Sequence, residues 1–296
     1  MTTLPAVAVV VPIYSRRAIT CDFLRSFSAV RYPNYEMIIV DDGSTDGSAD
    51  AIAREFPSVR LIRTSGGLWW TRATNMGIAD ARSRGAAYIL TINDDVLVDP
   101  YLLDALVRRA ASQPRTLVGS TIFYHAEPDR IWYAGGRINW WSGDLVHRTS
   151  PGDGPLLWLT GMGTLVPVEA FDAVGHYDEA NFPQYAADAD FSLRAATSGF
   201  SLAIAPDAKI WNRTEESVQR RVRERVTPGT FFLPLTSNKS DAKLTLRLTL
   251  YTRHWPMVYR PIAFVAYYAK FLAKQFKRLL RVPEYWASRK VHGGGI

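Results

Sequence analysis

Cysteine is nearly absent. Cys21 is the only one in 296 residues, so no disulfide can form within the chain and nothing points to an oxidising compartment. Long apolar runs are missing as well: no stretch approaches the ~18–20 apolar residues that a membrane-spanning helix needs. The opening Met1-Thr2-Thr3-Leu4-Pro5 places no basic charge ahead of an apolar segment. No secretion leader is therefore expected, and a cytoplasmic protein is. There is no internal repeat and no low-complexity segment. The first apolar run leads into Pro12-Ile13-Tyr14 and not into a Gly-x-Gly-x-x-Gly turn, which argues against a dinucleotide-dependent dehydrogenase. No nucleic-acid-binding motif is present, so no nucleic acid is expected as a partner.

What is present is ordinary in amount and uneven in placement. Hydrophobic residues make up 47% and charged residues 21%, as in soluble globular proteins. The length suits one large or two modest domains. The net charge of +7 is concentrated at one end. Residues 217–296 hold 16 Lys and Arg against 3 Asp and Glu, whereas residues 1–216 hold 19 against 25. Such asymmetry points to a polyanionic surface as partner of the basic part.

The first hundred residues alternate strand and helix patterns. Ala6–Val11, Glu36–Val40, Val59–Ile62 and Ala87–Ile92 are short apolar runs, each reading as a buried parallel strand. Ala18–Val30, the segment up to Phe56, and Leu68–Arg84 lie between them with helical spacing. Alternation of this kind predicts a mostly parallel sheet with helices on both faces. A helix over Pro100–Ser112 and a strand at Thr116–Gly119 follow. The pattern then loosens, and Ile131–Gly136 and Ile138–Trp141 read as short strands or a hairpin with aromatic-rich loops. A strand is expected at Leu156–Thr160, a helix at Val168–Val174, a helix beginning near Tyr185 and a last strand at Ser201–Ala205. Thr214–Arg225 is polar and basic. Pro261–Arg281 is amphipathic: Val265, Tyr268, Leu272, Phe276 and Leu279 form one stripe, and Lys270, Lys274, Lys277 and Arg281 another. That pattern fits a membrane surface, or equally a helix docked on the domain with a solvated basic face.

Two of the strands end in paired aspartates, Asp41-Asp42 and Asp94-Asp95, the latter preceded by Asn93. Ligands of open α/β sheets bind at the carboxyl ends of the strands. Carboxylates gathered there suit a hard divalent cation such as Mg2+ or Mn2+, which would in turn hold phosphate oxygens. Asn and Asp also favour turns, so an Asx-rich strand cap is the alternative. The acidic residues Asp188 and Asp190 lie where a helix begins, a position the helix dipole favours by itself.

Taken in order, Val9-Val10-Val11-Pro12-Ile13-Tyr14, Val40-Asp41-Asp42-Gly43-Ser44-Thr45-Asp46-Gly47-Ser48, Asn93-Asp94-Asp95 and Asp188-Ala189-Asp190-Phe191-Ser192-Leu193-Arg194 resemble the inverting family-2 glycosyltransferases of GT-A fold. Gly66-Gly67-Leu68-Trp69-Trp70 and Ile131–Gly136 are similar to the bacterial rhamnosyltransferase-like branch that builds surface polysaccharide. The resemblance implies a GT-A domain, α/β with a Rossmann-like sheet, over residues 1–215. A basic, mainly helical extension over 216–296 would follow, suited to a membrane surface. It implies a nucleotide-diphosphate sugar donor, dTDP-rhamnose or a UDP-sugar, and a glycan or lipid-linked acceptor. By the same resemblance Pro12, Tyr14, Asp41, Asp42, Arg72, Asn75, Asn93 and Asp94 line the donor, Asp95 binds Mg2+ or Mn2+, and Asp188 is the catalytic base. Trp69, Trp70, Gly161 and Asp190 are candidate contacts to sugar or acceptor.

The sequence departs from the family pattern at several points. Ser15 stands where Asn is usual, Asn93 replaces the first acid of the metal motif, Ala187 replaces the Glu before Asp188, and Asn212 stands where a metal-binding His often lies. These departures favour, as the other reading, a nucleotide- or glycan-binding module without catalysis. The histidines His125, His147, His176 and His254 are read as structural or solvated.

Overall fold

The structure, a computed structural model, describes residues 4–150, 152–213 and 226–280. The basic run 214–225 and Arg281 of the amphipathic segment lie outside the described residues.

The first half is built as its hydrophobic pattern demands. Strand β1 (Val7–Ile13) is buried along its whole length, as a central strand covered on both faces must be. Beside it lie β2 (Tyr35–Asp41), β3 (Arg60–Arg63) and β4 (Tyr88–Thr91), all parallel. The crossovers are α1 (Arg17–Phe27), α2 (Ser48–Glu55) and α3 (Trp69–Ser83). Helix α1 turns Phe23, Leu24 and Phe27 to the sheet. Helix α3 packs so closely that a Cβ on Gly77 would overlap the Val10 side chain, so glycine lets the helix backbone rest on β1.

Beyond β4 the sheet becomes mixed. Next come β5 (Val96–Val98), α4 (Leu102–Ala111), β6 (Thr116–Tyr124), β7 (Ile131–Tyr133), β8 (Gly136–Asn139), β9 (Asp144–His147), β10 (Thr164–Pro167), α5 (Val168–Val174), α6 (Ala187–Thr197) and β11 (Ser201–Asn212). The nine-stranded sheet runs β3-β2-β1-β4-β10-β6-β11-β5, with β7 on β6. Strand β10 is antiparallel to both β4 and β6. The strand expected at Leu156–Thr160 is not formed. Only an isolated bridge joins Trp158 to Gly136, because the Trp158 indole lies on Gly136, where no Cβ fits. The ladder resumes at Thr164. Strand β11 runs past the expected Ala205 because Pro206-Asp207 sits in a register shift against β6, after which pairing continues to Asn212.

The C-terminal segment packs onto this frame. Helix α7 (Leu244–His254) buries Leu246, Leu250 and Tyr251, and Trp255 after it is 1% exposed. Tyr251 donates from its hydroxyl to the Gly143 carbonyl in the β8–β9 turn at 2.8 Å. Helix α8 (Tyr259–Leu279) docks through Ala263, Tyr267 and Gln275. Tyr268 is half-buried and bonded to the Ala242 carbonyl, so it belongs to the docked side and not to the outer stripe. The outward stripe is Val258, Ile262, Val265, Leu272, Phe276 and Leu280, all exposed. Among the described residues no helix is long and apolar enough to cross a membrane.

Candidate active site

The loops after β1 and β2 are tied together. Ser15 adopts a φ of 47°, and its N–H donates to Ser44 Oγ at 2.8 Å. The buried Asp41 carboxylate accepts the Ser44 N–H at 2.9 Å. Asp42 accepts the Leu68 and Trp69 N–H groups at 2.8 and 3.0 Å. It therefore caps the first turn of α3, where a carboxylate meets the helix dipole and unpaired donors together. That grip holds Trp69 at φ 62°, a conformation non-glycine residues seldom take. Pro12 is buried within β1, whereas Tyr14 projects from its end, 61% exposed.

At the end of β4, Asn93 bonds Trp70 while Asp94 and Asp95 share Arg16. Asn93 Oδ1 accepts the Trp70 indole N–H at 3.0 Å. Asp94 is fully buried and accepts from Thr20 Oγ1 at 2.6 Å and from the Arg16 guanidinium. Burial raises its pKa to about 6 despite the neighbouring Arg16 charge. Asp95 accepts from Arg16 Nη1 at 2.9 Å through Oδ2, and its buried Oδ1 has no partner. Next to it, the Arg213 N–H donates to the Asp95 carbonyl, and the β5–β11 ladder sets Asn212 opposite Val96. Asn212 is 0% exposed and both its side-chain polar atoms lack partners. Unsatisfied buried polar atoms are costly, and Asp95 Oδ1 is a hard-oxygen donor with no protein partner. This fits a divalent cation of the Mg2+ or Mn2+ kind. No cluster of three His, Cys, Asp or Glu side chains suited to a metal occurs among the described residues. A cation here would thus rest on Asp95 and substrate.

Trp70 links this end of the site to Asp188. Its indole lies over Gly161, where an added Cβ would come within 2.5 Å of the ring. The Gly161 N–H donates to Asp188 Oδ2 at 2.7 Å, and the Ala189 N–H to Asp188 Oδ1 at 2.9 Å. Asp188 sits in the first turn of α6, after Ala186 at φ 66°. Burial outweighs these hydrogen bonds and raises its pKa above the usual carboxylate range, making it a stronger proton acceptor than a solvated Asp. Asn93, Trp70, Gly161 and Asp188 thus form one continuous wall.

Arg72 and Asn75 lie on α3 and face the loop after α5. Arg72 approaches Glu179 at 3.7 Å, and Asn75 donates to the Tyr177 carbonyl and to Glu179 at 2.9 and 3.0 Å. Asp190 stands apart from the wall. It is fully buried, and its carboxylate is taken up by Arg194, Arg253 and His254 at 2.8, 2.7 and 2.8 Å. Its pKa is depressed because those bonds outweigh its burial. It joins α6 to α7. Sequence reasoning missed Arg16 and Thr20. The available signal was a cation directly after a strand whose neighbours end in acids.

A parallel β-α-β half-sheet, a mixed second half and carboxylates gathered at the strand ends define the GT-A class. The chain belongs to glycosyl transferase family 2, whose sequence profile matches residues 8–175, and to its rhamnosyltransferase-like branch. It is 30% identical over 227 residues to the N-acetylglucosaminyl-diphospho-decaprenol L-rhamnosyltransferase of Mycobacterium tuberculosis, a match spanning 67% of this chain and 73% of that one. Among solved structures it resembles the mannosyltransferase PcManGT of Pyrobaculum calidifontis, crystallised with GDP-Man and Mn2+. That likeness has a TM-score of 0.58 at 16% identity and covers 99% of this chain and 77% of the other. GalNAc-T7, crystallised with UDP, GalNAc and Mn2+, gives a TM-score of 0.59 at 14% identity over 72% of this chain and 44% of its own.

Proposed function

We propose that the chain is an inverting glycosyltransferase that moves a sugar from a nucleotide-diphosphate donor to a hydroxyl of a glycan or lipid-linked glycan during bacterial surface-polysaccharide synthesis. The observation that carries this reading is the wall from Asn93 through Trp70 and Gly161 to Asp188, which sets a carboxylate of raised pKa beside the Asp94–Asp95 end of the cleft. Asp188 accepts the proton of the acceptor hydroxyl as that oxygen bonds to the anomeric carbon. The bond from that carbon to the diphosphate oxygen breaks on the opposite face, so one displacement inverts the centre. Trp70 closes the wall against water, and Asp42 fixes the start of α3 over the donor. Mg2+ or Mn2+ on Asp95 would stabilise charge on the leaving diphosphate. The relative is named an L-rhamnosyltransferase, which supports dTDP-rhamnose as the first donor to test, with a UDP-sugar second.

A lipid-linked acceptor fits the outer face of α8. Val258, Ile262, Val265, Leu272, Phe276 and Leu280 recur on one side of the helix, with exposed Lys274 and Lys277 on the flank. Phe231 packs on Phe276 at 5.2 Å and carries the exposed Phe232 and Leu233 into the same patch. Apolar anchors beside lysines suit the cytoplasmic, anionic face of a membrane, which gives the chain a peripheral location there.

The test is turnover across nucleotide sugars with Mg2+ and Mn2+, comparing the unaltered chain with Asp188→Asn. Transfer is expected in the first and loss of at least about a hundredfold in the second, as for removal of a general base, with donor binding kept. An unaltered chain that binds nucleotide sugar and never turns it over would leave a binding module in place of the enzyme.

A further inference from the structure

The charge arrangement around Asp94 and Asp95 is unusual for a site that recruits a dication. Arg16 reaches both carboxylates at once, Asp94 with one guanidinium nitrogen and Asp95 with the other at 2.9 Å. The pose is fixed from both ends. Ser15 is locked to Ser44 immediately before it, and Asp94 is held from below by Thr20. Asp94 is fully buried, whereas the Arg16 side chain is 38% exposed. Asp94 therefore serves as the anchor of the guanidinium, and the Arg16 side chain is the part of the pair that solvent reaches. Asn93 contributes no charge, so Asn93, Asp94, Asp95 and Arg16 together carry one net negative charge. A divalent ion on Asp95 would meet weakened attraction and a resident cation within the same few ångströms. Guanidinium is always charged, and its five N–H donors match phosphate oxygens in a planar fork. Only two of those donors are needed for the two carboxylates.

We propose that Arg16 is a resident phosphate-binding cation of this site, carrying part of the donor's diphosphate charge so that the protein holds a nucleoside diphosphate even without a divalent ion. The inference rests on the nucleotide-sugar reading given above and adds a residue and a metal-independent contribution to it. When substrate arrives, N–H groups of Arg16 turned to the cleft bond diphosphate oxygens while Asp94 keeps the guanidinium in place. No bond is made or broken in this step.

The experiment is calorimetric titration of UDP, dTDP and GDP into the full chain, once with EDTA and once with Mn2+. The best of these nucleotides should bind in EDTA. Arg16→Gln should weaken that metal-free binding by about tenfold or more, the effect of one charge-assisted contact, with Arg16→Lys in between. Because Arg16→Gln leaves Asp94 buried and unpaired, the same titration is made on Arg16→Gln combined with Asp94→Asn, which removes that charge and keeps its shape. Binding of Mn2+ alone, followed by the EPR signal of the free ion, should tighten in Arg16→Gln, which keeps both carboxylates and removes the resident cation. Binding by the unaltered chain that appears only with Mn2+, or EDTA affinities that the substitutions leave unchanged, would overturn the proposal. Failure of every nucleotide to bind even with Mn2+ would instead sink the nucleotide-sugar reading itself.

Discussion

At the scale of single residues, the site depends on one glycine with ordinary backbone angles. Gly161 lacks a Cβ because the Trp70 ring occupies that space, and its N–H holds Asp188. Gly161→Ala would push the indole aside and strain the Trp70–Asn93 bond. We expect it to cost about 1–3 kcal/mol of stability, as overpacking does, measured by denaturant unfolding. Sugar transfer should fall further than that stability loss explains. Full activity would mean that Trp70 has no part in the wall. The sequence showed Asp188 and Gly161 by their motifs and hid the link between them. Trp70 and Gly161 are 91 positions apart in the chain, and packing across such a separation leaves no periodic trace. Arg16 stayed hidden for a related reason: an arginine after a strand reads as solvated until its two carboxylate partners, 78 and 79 residues away, are brought to it.

At the scale of elements, α6 carries the proposed base on one side and is bound to α7 on the other. Asp190 is the centre of that joint, with Arg253 also reaching Asp178 at 3.0 Å. Asp190→Ala leaves three donors around an empty buried position. Breaking a buried pair in this way costs about 3–5 kcal/mol, and a large fall in melting temperature by calorimetry is the expected result. A change within a degree or two would show that the joint is dispensable. The strands and helices of the first hundred residues were legible because each is a local run with one period. The short strands Ile131–Tyr133 and Gly136–Asn139 were legible too, whereas residues 140–167 were not. Trp158 packs by shape onto Gly136, and β10 is a four-residue strand whose pairing partners lie far away in sequence. The second half of β11 was likewise hidden, because Pro206-Asp207 reads as an end and is a shift in register.

At the scale of the whole molecule, the chain presents a cluster of carboxylates at the carboxyl ends of its interior strands and an apolar, lysine-flanked stripe on α8. The amphipathic pattern of α8 was plain in the sequence, but which side of it docks was not. Its buried residues, Ala263, Tyr267 and Gln275, are less apolar as a set than its exposed ones. Val265→Glu together with Leu280→Glu changes two residues that are 67% and 73% exposed. The pair should release the protein from anionic vesicles in a flotation assay, by about tenfold or more, and leave its melting temperature unchanged. Equal partitioning of altered and unaltered protein would assign the stripe to some other contact.

The antiparallel insertion of β10 has a consequence for how the chain is made. One edge of β4 stays bare until residues 164–167 are synthesised, 73 positions after its own last residue pairs with Thr164. A ribosome adding roughly 5–20 residues per second leaves that hydrophobic edge uncovered for several seconds. Nascent copies are thus exposed to edge-to-edge association during that interval, and slower translation of the stretch between the two strands should lower the yield of soluble protein.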